Sequence, residues 1–128
     1  MPGIDEPIEP EQTLDLEIPH PARTEQGEDI TPHGWLLVAQ NKKVIKGWND
    51  LCLQIPENAK RCYLWLRNDP TRRIPGRCYE LKYKHYAGAW AFEVGSGQRV
   101  YYKIREGTRE VLIYYAGPHP AKAPYPPT

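Results

Sequence analysis

The sequence predicts one α+β domain, in which a small antiparallel sheet packs against an N-terminal helical hairpin. Two amphipathic helical patterns lie back to back around Pro56, with almost no linker between them. Apolar runs rich in β-branched and aromatic residues then follow in quick succession, separated by Gly, Ser and charged turn residues. The length of 128 residues suits one domain.

The two helical patterns follow a short apolar run, residues 34–39, which predicts the first strand. Apolar residues then recur at i, i+4, i+7 and i+11, which predicts a helix of roughly 13 residues. These residues are Val44, Trp48, Leu51 and Ile55. Pro56 ends this helix and suits the first turn of the next one. The second helix closes at the turn signal of residues 68–70, so the pair predicts an antiparallel hairpin.

The second half of the chain predicts the rest of the sheet. Its four strand-like runs are residues 78–83, 89–94, 98–104 and 111–116. Because side chains alternate along a strand, Arg99, Tyr101 and Lys103 share one face of the third run. Helices on one side of the sheet leave the opposite face free to bind a ligand.

Charge divides the chain into a leader (residues 1–32), a domain (33–120) and a tail (121–128). Residues 1–30 hold nine acidic residues and one arginine, a net charge of −8, whereas residues 31–128 carry +9. The proline-rich leader is predicted to be flexible. Alternatively, it lies on the basic domain as a flap, or its run 14–18 pairs with a sheet edge. The tail, which is rich in proline, is predicted to be extended and mobile.

The sequence lacks the motifs of several functional classes. The three cysteines have no CxxC spacing, so a zinc site is not predicted, and no phosphate-binding loop or HExxH occurs. No cofactor is expected. No run of 18 apolar residues and no secretory signal is present, so we expect a cytoplasmic protein without a membrane partner. The basic domain is the kind of surface that meets a polyanion, and it is equally the kind that serves solubility.

Four short segments resemble the RelE/ParE superfamily of bacterial type II toxins, most closely its RelE- and YoeB-like members. The resemblance covers about residues 34–119. The segments that carry it are Leu81-Lys82, Ala87-Gly88-Ala89-Trp90, Gly97-Gln98-Arg99-Val100-Tyr101-Tyr102 and Ala116-Gly117-Pro118-His119. Pro120 departs from the pattern, since YoeB-like toxins often carry an aromatic residue after the terminal His.

The resemblance implies a RelE-like fold and a ribosome-dependent, metal-independent endoribonuclease that cleaves mRNA and inhibits translation. It implies the ribosome, mRNA and a cognate antitoxin as partners. The alternative is a non-catalytic binding module of the same fold, either a gyrase inhibitor like ParE or a regulatory protein.

Metal-free RNA cleavage needs a base, an acid and cations near the phosphate, and the second half of the chain offers all three. Arg99 would stabilise the transition-state charge, and His119 would transfer a proton. Alternatively, Arg99 pairs with Glu93 or Glu110, and His119 is a plain surface residue. The further catalytic candidates are Lys82, Glu80 and Tyr101. The candidates for RNA binding are Lys84, His85, Arg72, Arg73, Arg77 and Lys103.

Overall fold

Two helices and a six-stranded mixed sheet form the part of the chain that the structure describes, residues 11–14 and 34–127. The structure is a computed structural model, and it confirms the α+β class. In chain order the elements are β1 (Gln12–Thr13), β2 (Leu36–Ala39), α1 (Lys42–Gln54), α2 (Pro56–Asn68), β3 (Cys78–Glu80), a 3-10 turn (Lys84–Tyr86), β4 (Ala89–Gly95), β5 (Gln98–Arg105) and β6 (Glu110–Pro118). Neither helix is long and apolar enough to cross a membrane.

The strand order is β1-β2-β6-β5-β4-β3. The meander from β3 to β6 is antiparallel, as predicted, but β2 runs parallel to β6, so the prediction of a wholly antiparallel sheet is wrong. A parallel pair needs a long connection between its strands, and the helices and meander provide it here. The hairpin is also not N-terminal in the fold, because both helices follow β2.

Local signals set the helix bounds. The side chain of Asn41 caps α1, since its Oδ1 accepts a hydrogen bond from the amide of Val44 at 3.0 Å. Ile55 alone separates the helices, and Pro56 occupies the first turn of α2, where its missing N–H leaves no hydrogen bond unmade. The short connection holds the two helices side by side, and both contribute to the same core.

The main core lies between the helices and one face of the sheet. Trp48 and Leu51 of α1 and Leu66 of α2 are almost fully buried there. The residues that meet them from the sheet include Leu37, Phe92, Val100, Tyr102, Val111 and Ile113. The three cysteines, Cys52, Cys62 and Cys78, are free thiols and are buried.

Part of the leader joins the sheet. Gln12 and Thr13 pair antiparallel with β2, and Leu14 is only 4% exposed. Glu11 accepts two hydrogen bonds from the guanidinium of Arg105, at 2.9 and 2.6 Å. The edge strand is thus formed by residues that precede the predicted run 14–18, and residues 15–18 of that run lie outside the described residues. The rest of the predicted leader and flap lies outside the described residues.

Candidate functional site

The sheet face turned away from the helices, called the open face below, carries a cluster of tyrosines. Tyr101 on β5 packs against Tyr114 and Tyr115 on β6, with ring centroids 6.3 and 5.7 Å apart. Successive residues of a strand normally point to opposite faces. Here Tyr101 pairs with Tyr115 while Tyr102 pairs with Ile113, and this bulge leaves Tyr114 as an extra residue. Both tyrosines of β6 can therefore pack on the open face.

Charged side chains meet beside these tyrosines, at the end of the open face near the β4–β5 turn. Glu93 and Arg99 face each other across the hairpin, with Glu93 Oε1 and Arg99 Nη2 3.6 Å apart. Tyr79 donates a hydrogen bond to Glu93 Oε2 at 2.8 Å. The backbone N–H of Glu93 donates to the carbonyl of Arg77 at 2.8 Å, and Arg77 Nη1 donates to the carbonyl of Glu93. We call Arg77, Tyr79, Glu93 and Arg99 the charged cluster.

The guanidinium of Arg99 is held firmly by the chain. Its Nη1 donates to the carbonyls of Gly95 and Gln98, at 2.9 and 3.0 Å, and lies 3.5 Å from that of Ser96. The residue is only 9% exposed. The ion pair with Glu93, which was the predicted alternative for Arg99, is present. Because Nη1 already donates to backbone carbonyls, it is not available to a phosphate. Nη2, at 3.6 Å from Glu93, is the freer end.

His119 lies at the same end of the sheet. Its backbone N–H donates to the carbonyl of Gly97 in the β4–β5 turn, at 2.8 Å. Gly117 pairs with Arg99 and lies on the same face of the sheet. Because side chains alternate along a strand, His119, two residues later, points toward that face as well. Gly117 has no side chain, and an added Cβ would lie 3.4 Å from Tyr115 Oη. The Tyr115 hydroxyl, which donates to the carbonyl of Pro118, therefore lies over the buried Gly117, next to the exposed His119.

The tyrosines of this region are protonated at neutral pH. Burial and the hydrogen bond to Glu93 raise the pKa of Tyr79 to about 12. Burial likewise raises the pKa of Tyr101. Both hydroxyls are thus proton donors over the physiological range, and neither can act there as a base.

Two of the predicted catalytic residues lie elsewhere. Glu80 lies two residues after the buried Cys78 on β3, so its side chain is on the same face of the sheet, toward the helices. It pairs with Arg73, whose guanidinium lies 5.1 Å from the ring centroid of Trp90. Leu81 bonds to Ala89, which lies four residues along β4 from Glu93, and Lys82 lies one residue further, so at least roughly 13 Å separates it from Glu93. The structure does not bring Glu80 or Lys82 to Arg99 and His119.

The predicted RNA-binding residues lie in separate parts of the fold. Arg77 belongs to the charged cluster, whereas Arg72 lies 5.8 Å from the ring centroid of Trp65 beside α2, and Arg73 pairs with Glu80. Lys84 and His85 lie exposed on the 3-10 turn. Lys103 lies four residues along β5 from Arg99 and donates from Nζ to the carbonyl of Pro127 at 3.1 Å.

The tail covers part of the open face. Tyr86 donates to the carbonyl of Ala123 and Tyr114 to that of Pro124. These contacts hold the tail on the sheet, so the face that we expected to be free is partly occupied. The three hydrogen bonds to carbonyls of the tail come from Tyr86, Lys103 and Tyr114, and none of these donors belongs to the charged cluster.

Two residues of the site were not predicted. The sequence predicts Glu93 only as an ion partner of Arg99, and it predicts no role in the site for Tyr79. Counting back from Arg99 across the Gly95-Ser96-Gly97 turn would have placed Glu93 opposite it, as the observed register does. Tyr79 carried no comparable signal, because its contact depends on a third strand.

Comparisons with known proteins give no family for the chain. A scan against protein-family models finds no match, and a search of curated proteins finds none either. In the described residues, no group of three or more His, Cys, Asp or Glu side chains is placed to hold a metal ion.

Proposed function

We propose that the chain is a RelE-like type II toxin that cleaves mRNA on the ribosome in the cytoplasm, without a metal ion, and is silenced by a cognate antitoxin. One observation carries the proposal. A carboxylate (Glu93), a fixed guanidinium (Arg99) and an exposed histidine (His119) lie at one end of the sheet face that the helices leave uncovered. The RelE-like fold is part of the proposal.

These groups suit cleavage by the neighbouring 2′-hydroxyl. Glu93 takes the proton of the 2′-OH as its oxygen attacks the adjacent phosphorus. A 2′,3′-cyclic phosphate forms, the bond to the 5′-oxygen breaks, and His119 donates a proton to that leaving oxygen. Arg99 offsets the negative charge on the phosphorane oxygens through Nη2. Glu93 replaces Glu80 as the proposed base.

The contacts of Arg99 and Glu93 support these roles. The three carbonyls around Nη1 fix the orientation of the guanidinium before RNA binds. The 3.6 Å separation of Nη2 from Glu93 is longer than a charged hydrogen bond, which is usually about 2.7–2.9 Å, so a phosphate can compete for Nη2. Tyr79 anchors the other oxygen of Glu93.

Inducible expression in bacteria tests the nuclease. We expect the wild-type chain to arrest growth and to leave mRNA fragments with 2′,3′-cyclic phosphate ends. Glu93→Gln and His119→Ala should each reduce cleavage about 100-fold, the usual scale for losing an acid or base. Glu80→Gln is the matched control and should retain full cleavage, because Glu80 lies on the helix side. Cleavage that depends on Glu80 but not on Glu93 would refute the assignment.

A second candidate is a non-catalytic binding module of the same fold, acting on gyrase or as a regulator. The carbonyls that occupy Nη1 of Arg99 favour it, since a guanidinium engaged by carbonyls and Glu93 has less to offer a phosphate. This candidate predicts growth arrest with intact mRNA, altered DNA supercoiling for the gyrase type, and no effect of Glu93→Gln on the arrest.

A further inference from the structure

The contacts between the tail and the domain follow one chemical pattern. Tyr86 Oη donates to the carbonyl of Ala123 at 2.8 Å, and Tyr114 Oη donates to that of Pro124 at 3.2 Å. Lys103 Nζ donates to the carbonyl of Pro127 at 3.1 Å. In all three bonds the domain supplies a side-chain donor and the tail supplies a backbone acceptor.

A proline-rich segment suits such a surface. Proline has no N–H, and three of the residues 123–127 are prolines, so this stretch has five carbonyl acceptors and only two backbone donors. Prolines also favour the extended polyproline helix, which has no internal hydrogen bonds and leaves its carbonyls available. Tyrosine and lysine donors can therefore bind this backbone while little conformational freedom is lost.

The side chains of the tail add packing. The ring of Tyr125 lies 5.1 Å from that of Tyr86 and 5.7 Å from that of His85, measured between centroids. Ala123 packs into the tyrosine cluster of the open face. Aromatic walls with hydroxyl donors are the general means by which grooves bind extended proline-rich peptides.

We propose that the open face is a binding groove for an extended proline-rich peptide and that the tail occupies this groove in cis. A proline-rich segment of another chain, with an alanine and an aromatic residue spaced as Ala123 and Tyr125 are, would bind by replacing the tail. The tail competes at a high effective concentration because it is tethered to the domain. The proposal does not depend on RNA cleavage.

The groove is tested with full-length protein and a peptide of residues 120–128. In one variant Pro124, Pro126 and Pro127 are all changed to glycine, which keeps the tail's length and removes its preference for the extended helix. We expect the peptide to bind this variant at least ten times more tightly than it binds the wild type, measured by calorimetry. Adding Tyr114→Phe should weaken that binding at least threefold. Equal binding to variant and wild type, or no binding to either, would overturn the proposal.

Proteolysis tests the cis contact in the unmodified tail. Trypsin can cleave after Lys122, just before the residues that the groove holds. We expect the Tyr86→Phe/Tyr114→Phe double variant to lose its tail at least five times faster than the wild type, followed by mass spectrometry. Tyr83→Phe is the control, since Tyr83 is 82% exposed, and it should behave as the wild type. Equal rates in the double variant and the control would contradict an anchored tail.

Discussion

Changing Gly47 to alanine tests how closely α1 approaches β6. In an ordinary helix interior, alanine is more stable than glycine by about 1 kcal/mol. Gly47 lies in the middle of α1, so helix propensity alone predicts a gain in stability of that size. The packing of the helix predicts the opposite sign.

An ideal Cβ at Gly47 would lie 1.9 Å from the carbonyl oxygen of Ala116 and 3.0 Å from its carbonyl carbon. Both are backbone atoms of β6, so no change of rotamer relieves the clash. Either the helix or the strand must move by more than 1 Å, and overpacking of a core typically costs about 1–3 kcal/mol. After the gain in propensity is subtracted, we expect Gly47→Ala to lower the free energy of unfolding by up to about 2 kcal/mol.

Urea unfolding, followed by circular dichroism at 25 °C, measures the change. Gly107→Ala in the β5–β6 turn is the control, because a Cβ there meets no atom within 4 Å. It should shift stability by less than about 0.5 kcal/mol. A higher unfolding midpoint for Gly47→Ala would refute the close approach of α1 to Ala116.

Three further predictions concern hydrogen bonds and ion pairs. Tyr102→Phe leaves the buried carbonyl of Pro70 without its 2.6 Å donor, so urea unfolding should show a loss of about 1–3 kcal/mol, and no loss would contradict this bond. In the folded state the pKa of Tyr79 is raised to about 12, so the protonated hydroxyl stabilises the fold at pH values below the pKa of tyrosine in the unfolded chain. This stabilisation is lost as the pH rises from about 10 to 12. Tyr79→Phe should therefore flatten the alkaline fall in unfolding midpoint, and an unchanged slope would count against the bond to Glu93. The pKa of Glu11 is lowered by its hydrogen bond with Arg105, so that pair stabilises the fold above the unfolded pKa and is lost as the pH falls through and below about 4.5. Glu11→Gln should cost less than about 1 kcal/mol at pH 7 and nothing at pH 2, and a loss that persists in acid would refute an ionic origin.

Local patterns were sufficient to predict both helices. The stripe through Trp48 and Leu51 and the stop at Pro56 are read from adjacent turns of one helix, and the structure has helices over Lys42–Gln54 and Pro56–Asn68. The parallel pairing of β2 with β6 could not be predicted in this way. It joins segments more than 70 residues apart, and no pattern of neighbouring residues links the two.

The candidate site depends on the same distinction between local and distant pairing. Glu93 and Arg99 meet across one tight hairpin, where a register shift between Glu93 and Gly95 sets them opposite each other. The adjacent tyrosines of β6 depend on a second register shift, against β5, whereas strict alternation would send Tyr114 and Tyr115 to opposite faces. Tyr114 donates to the carbonyl of Pro124, and Tyr86 and Lys103 donate to two further carbonyls of the tail. The partial covering of the open face therefore depends on donors from the 3-10 turn, β5 and β6 together.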